Sequence, residues 1–121
     1  MMKTFLRLVL VGLGLGFGLP AVAGGAGTYT VKGNNGEAGT DYSGTVVITQ
    51  TSKDTFKLAW TINGDKYTGH GIGDARIMAV SFTSDGSAGT ALLVDDDAGG
   101  YKSIWGFVGE TKIGWELMKP R

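Results

Sequence analysis

The run from Thr55 to Ile62 alternates apolar and polar side chains without a break, and Asn63-Gly64 follows it directly. A period of two puts Phe56, Leu58, Trp60 and Ile62 on one face and Thr55, Lys57, Ala59 and Thr61 on the other. Asn-Gly supplies the positive φ that both central positions of a tight hairpin turn require. One segment therefore already dictates an antiparallel β pair. Short runs of the same kind recur at intervals of about 8–12 residues with turn signals between them, the pattern of a barrel or sandwich. No stretch beyond residue 23 carries an apolar period of 3.6.

Eight strands are expected. The first covers Thr28 to Lys32. The second covers Tyr42 to Gln50, with Tyr42, Gly44, Val46 and Ile48 on one face. The third is Thr55 to Ile62 and the fourth Asp65 to Gly71. The fifth is Arg76 to Thr83, with Met78, Val80 and Phe82 inward, and Ser84 to Ser87 closes the next turn. The sixth is Gly89 to Asp95, followed by a polar turn from Asp96 to Gly100. The seventh is Tyr101 to Val108, with Trp105 and Phe107 on one face. The eighth is Thr111 to Met118, with Ile113, Trp115 and Leu117 on one face and Glu116 on the other. Connections this short favour sequential antiparallel pairing. The expected fold is all-β: a single antiparallel meander closing into a small barrel, which removes exposed sheet edges. A two-sheet sandwich is the alternative. Gly69 and Gly71 share a face with Tyr67, and Gly44 shares one with Tyr42. In-strand glycine marks a bend or a close approach, and aromatic rings lie over such positions.

The first 23 residues read differently. Lys3 and Arg7 precede an apolar run from Leu8 to Leu19, then Pro20 and Ala21-Val22-Ala23. This is the order of a cleavable signal peptide, with the cut expected after Ala23. The run of about 12 residues is shorter than the roughly 20 that span a bilayer. The expected organisation is a signal peptide at 1–23 and one domain at 24–121, exported to the periplasm or medium and not held in a membrane after processing. Removing Lys3 and Arg7 leaves nine basic against eleven acidic side chains. That balance argues against nucleic acid, whose binders carry a basic stripe. There is no cysteine, so neither a disulfide nor a lipid-attachment site is available.

The ordered motifs Gly27-Thr28-Tyr29-Thr30-Val31, Gly33-Asn34, Tyr42-Ser43-Gly44-Thr45-Val46 and Trp60-Thr61-Ile62-Asn63-Gly64 continue through Tyr67-Thr68-Gly69-His70-Gly71, Ile104-Trp105-Gly106 and Gly114-Trp115-Glu116-Leu117. Their order and spacing resemble a family of small exported bacterial all-β domains of mostly unassigned function, some labelled fibronectin-binding protein. The resemblance covers nearly all of residues 24–121. It implies the fold and export, and it supplies no catalytic residues. The chain departs from the pattern at Glu37 to Asp41, which lengthens the first connection, and at Val94-Asp95, where the family has an aromatic.

Catalytic chemistry finds no support in the residues. His70 is the one histidine, and alternation turns it away from the glycine face to the outside. No serine sits in a Gly-x-Ser-x-Gly elbow. Glu116 has apolar neighbours, and by alternation against Trp115 and Leu117 it is expected in solvent or in a cross-strand pair with Lys or Arg. Asp95-Asp96-Asp97 lacks EF-hand spacing and reads as a solvated turn. No metal, cofactor or catalytic residue is expected.

Trp60, Tyr67, Trp105 and Trp115 remain as candidate ligand-binding residues, able to stack on a ring or sugar at one barrel end. Core bulk is their alternative role. Val46-Val47-Ile48, Leu92-Leu93-Val94 and Ile104-Trp105 are apolar on both faces, whereas a water-facing sheet alternates. Cover by a protein partner, or a homodimer through strands six and seven, is therefore expected. The functional expectation is an exported non-catalytic binding or interaction domain, with a host or envelope protein as the partner. The alternative is a small-molecule carrier of calycin or avidin style, and a cavity of roughly 300 Å³ or more would favour it.

Overall fold

The structure, a computed structural model, describes residues 24–121. The expected signal peptide lies outside the described residues. Eight strands follow one another: β1 (Gly27–Asn34), β2 (Asp41–Gln50), β3 (Thr55–Ile62), β4 (Asp65–Gly73), β5 (Ile77–Ser84), β6 (Ser87–Asp95), β7 (Tyr101–Phe107) and β8 (Gly114–Pro120). Each pairs antiparallel with the next, and β8 returns to β1 from Tyr29↔Pro120 to Asn34↔Trp115. The sheet is a closed barrel in strict meander order, and the sandwich alternative falls away. No helix among the described residues is long and apolar enough to cross a membrane.

Turn chemistry sets the register. Asn63 and Gly64 have φ of 53° and 84°, and Asp85 and Gly86 have 47° and 81°. Both are the double positive φ of a two-residue hairpin turn. Most expected boundaries shift by one or two residues, and the start of the eighth strand shifts furthest. The eighth strand begins at Gly114 and not at Thr111, because residues 108–113 form a loop. Glu110 N–H donates to Phe107 O at 3.1 Å in that loop.

Alternation holds around the whole wall. Val31, Val46, Ile48, Phe56, Leu58, Met78, Val80, Leu93 and Met118 fill the middle of the barrel and are almost fully buried. Thr30, Lys32, Lys57, His70, Ser81, Thr90 and Lys102 lie outside. An apolar interior behind a largely polar wall reverses the arrangement of a lipid-facing barrel.

Glycines make room for rings on the inner surface. A Cβ at Gly89 would land on the Phe82 ring, and one at Gly114 would lie 2.5 Å from the Trp105 indole. This is the ring-over-glycine packing expected of a coiled sheet.

One end of the barrel is sealed. Tyr29 and Tyr101 pack with ring centroids 5.8 Å apart. The Tyr101 hydroxyl donates to Ala75 O at 2.8 Å and accepts from Gly25 N–H at 2.7 Å. The Tyr29 hydroxyl donates to Gly25 O at 2.7 Å. The chain entering β1 is thereby tied across the opening.

Candidate functional site

The opposite end is open. The β1–β2, β3–β4, β5–β6 and β7–β8 connections surround it, and a cavity of about 410 Å³ descends to the filled middle. That volume lies in the range of small-molecule sites. Its size follows from the strand pattern, because Ala91 on β6 is a small inward residue beside Trp105 on β7 and Val80 on β5. A large residue there would close the space.

Aromatic rings form the wall. Phe82 is the hub, with centroids 6.0 Å from Trp60, 6.5 Å from Tyr67, 6.4 Å from Trp105 and 5.6 Å from Phe107. Most of these contacts are edge-to-face, the geometry that ring quadrupoles favour. Tyr42 stands edge-on to Trp105 at 6.3 Å. The rings brace one another and are presented to the cavity as a preformed surface. Trp105 Nε1 is buried without a hydrogen bond of ordinary geometry, beside the Tyr42 hydroxyl.

Glu116 sits at the cavity floor and is only 6% exposed. The Tyr42 hydroxyl donates to its Oε2 at 2.6 Å and Trp60 Nε1 donates to its Oε1 at 3.2 Å. No cation pairs with it among the described residues. Burial raises its pKa above the ordinary carboxylate value, opposed by the two hydrogen bonds. Burial, reinforced by the nearby Glu116 carboxyl, also pushes the Tyr42 phenol far above its usual range. The expectation of an outward Glu116 is therefore overturned. The face of β8 that holds Gly114, Glu116 and Met118 points in, and the apolar face that holds Trp115 and Leu117 points out.

Three of the four candidate ligand-binding residues come together. Trp60, Tyr67 and Trp105 line the cavity. Trp115 does not, because it lies on the outer wall at 44% exposure. Sequence reasoning missed Tyr42, Phe82, Phe107 and Glu116 as site residues. Phe82 was legible as inward but not as the hub of a cluster. Glu116 had one local signal, since Gly114 on its face leaves space for a neighbouring ring.

The rim is charged. Glu37 and Lys112 pair across it at 2.6 Å, and Asp65 and Glu110 also lie at the mouth. His70 lies on the outer wall opposite Lys57 and Ser81. The Asp95 and Asp96 carboxylates cap their own turn, accepting from Asp97, Ala98 and Gly100 amides at 2.8–2.9 Å. Among the described residues no group of three His, Asp or Glu side chains is placed to hold a metal ion.

On the outer wall, Leu92, Ile104 and Trp115 form one cross-strand row over β6, β7 and β8. Val94 and Leu117 flank Lys102 in the next. All five apolar side chains are exposed. The patch continues the two-faced strands expected from sequence and extends them to β8. No family model and no curated protein matches this chain.

Proposed function

We propose that the processed domain is an exported, non-catalytic binding barrel whose open end takes a small organic molecule between Trp60, Tyr67, Phe82 and Trp105. The observation that carries this reading is the cavity of about 410 Å³ at the aromatic end of a barrel that is otherwise filled. Braced rings give a ligand a large contact area at little ordering cost, since the surface is already formed. Catalysis has less support, because the carboxyl inside the cavity, Glu116, faces two neutral donors and no nucleophile.

Native mass spectrometry of the protein recovered from the exporting cell tests the reading. A co-purifying small molecule is expected, and it should be lost from an Ala91→Leu variant that fills the cavity. Bare polypeptide mass from both proteins would count against the carrier.

A second reading rests on the outer patch of β6, β7 and β8. Contiguous exposed apolar surface marks contact sites, and a self-complementary patch suits a twofold homodimer. Sedimentation that shows a strict monomer at tens of micromolar would remove it.

A further inference from the structure

We propose that the cavity selects an organic ammonium: a cationic amine on a compact apolar body, held by the aromatic wall and by the Glu116 carboxylate. The inference rests on the binding-barrel reading and goes beyond it by assigning the ligand's charge.

Three independent observations converge. The first is Glu116 itself. A buried carboxyl without a cation is costly, and proteins normally pair it or keep it neutral. Its two donors, Tyr42 and Trp60, occupy one position on each oxygen. A carboxylate has about four acceptor positions, so both oxygens retain capacity for an ammonium. The second is the wall. The faces of Trp and Tyr attract cations through the ring quadrupole, most strongly where water is excluded. The third is the rim. Among the described residues Lys112 is the one basic residue lining the cavity, and it is bound to Glu37. Asp65 and Glu110 are left to set a negative potential at the mouth. A field of one sign at a cleft raises the local concentration of the opposite charge. An anionic ligand would meet repulsion at both rim and floor.

The titratable groups that face Glu116 inside the cavity are the phenols of Tyr42 and Tyr67, and above it stand Glu37, Asp65, Glu110 and Lys112. In the free barrel Glu116 holds its proton above the usual carboxylate range. An ammonium favours the ionised form, so binding drives that proton off. Affinity therefore rises with pH until Glu116 is ionised in the free protein, and then levels off.

Tyramine and tyrosol, which share a phenol ring and differ by ammonium against hydroxyl, isolate the charge. Calorimetric titration of the protein as exported, at about pH 8, should show tyramine binding about tenfold or more tighter than tyrosol. Glu116→Gln should cut that preference several-fold, leaving what the rings and the rim supply, while tyrosol still binds, which also shows that the variant is folded. Equal or tighter binding of tyrosol, or a preference undiminished by Glu116→Gln, would overturn the proposal and leave the binding barrel standing. If neither probe binds, the cation assignment falls, and the co-purification result decides separately whether the carrier reading falls with it.

Discussion

Replacing Glu116 by Gln tests the inward carboxyl through its proton. The side chain keeps its shape, and its amide oxygen still accepts from Trp60 Nε1 while its amide nitrogen faces the Tyr42 hydroxyl. What disappears is a titration. In the native barrel the Glu116 carboxyl has a pKa raised from 4.5 by burial. Between the unfolded and native values, the unfolded chain has lost this proton and the native barrel keeps it. Unfolding then releases a proton, so stability falls as pH rises, by up to about 1.4 kcal/mol per pH unit from this one group. The contribution is fully present below the unfolded value and is lost as pH passes the native one. Other carboxyls cancel in the difference between the two proteins. Urea unfolding followed by tryptophan fluorescence from about pH 4 to pH 8 measures it. Wild type should lose ground to Glu116→Gln as pH rises from the ordinary carboxylate value, then run parallel. A flat difference, or one in which wild type gains with pH, would refute a Glu116 pKa raised by burial.

Gly114→Ala drives a methyl against the Trp105 indole and within 2.6 Å of Asn34 O, so it should destabilise by about 1–3 kcal/mol in urea titration. Gly106→Ala, whose new methyl would meet only Lys112 O at 3.4 Å, should be neutral or slightly stabilising; equal losses in both would break the ring-over-glycine account. Trp115→Ser removes the largest apolar side chain of the outer patch. Any dimer seen by sedimentation should weaken, while tyramine binding stays unchanged because Trp115 is absent from the cavity wall.

How much of this was legible depended on how each strand announces its faces. β3 could be read residue by residue, because its inward positions are all large and apolar and its outward ones nearly all polar. β5 was read almost as well, from Met78, Val80 and Phe82. β8 was misread for a physical reason. Its inward face carries Gly114, Glu116 and Met118, and its outward face carries Trp115 and Leu117, so hydrophobicity points the wrong way. The apolar side faces out where the exposed patch forms, and the carboxyl faces in where the cavity forms. Both departures from the pattern fall at surfaces with a proposed role, where local rules are expected to give way.

The candidate site was half visible for a related reason. Trp60, Tyr67 and Trp105 were identifiable as large aromatics near strand ends. Which end of the barrel they share depends on register across β3, β4 and β7, and that emerges only on closure. The open cavity depends on Ala91, an unremarkable residue until its neighbours are known. The Tyr42–Glu116 hydrogen bond joins residues 74 positions apart, and nothing local to either announces it.

The most direct measurement is a nitrogen-15 NMR titration of the indole N–H signals with tyramine. Trp60 and Trp105 belong to the inner wall and Trp115 to the outer. Binding at the open end should shift the Trp60 and Trp105 signals together and leave Trp115 in place. Movement of Trp115 alone, with the two inner signals unchanged, would locate recognition on the outside of the barrel and contradict the account.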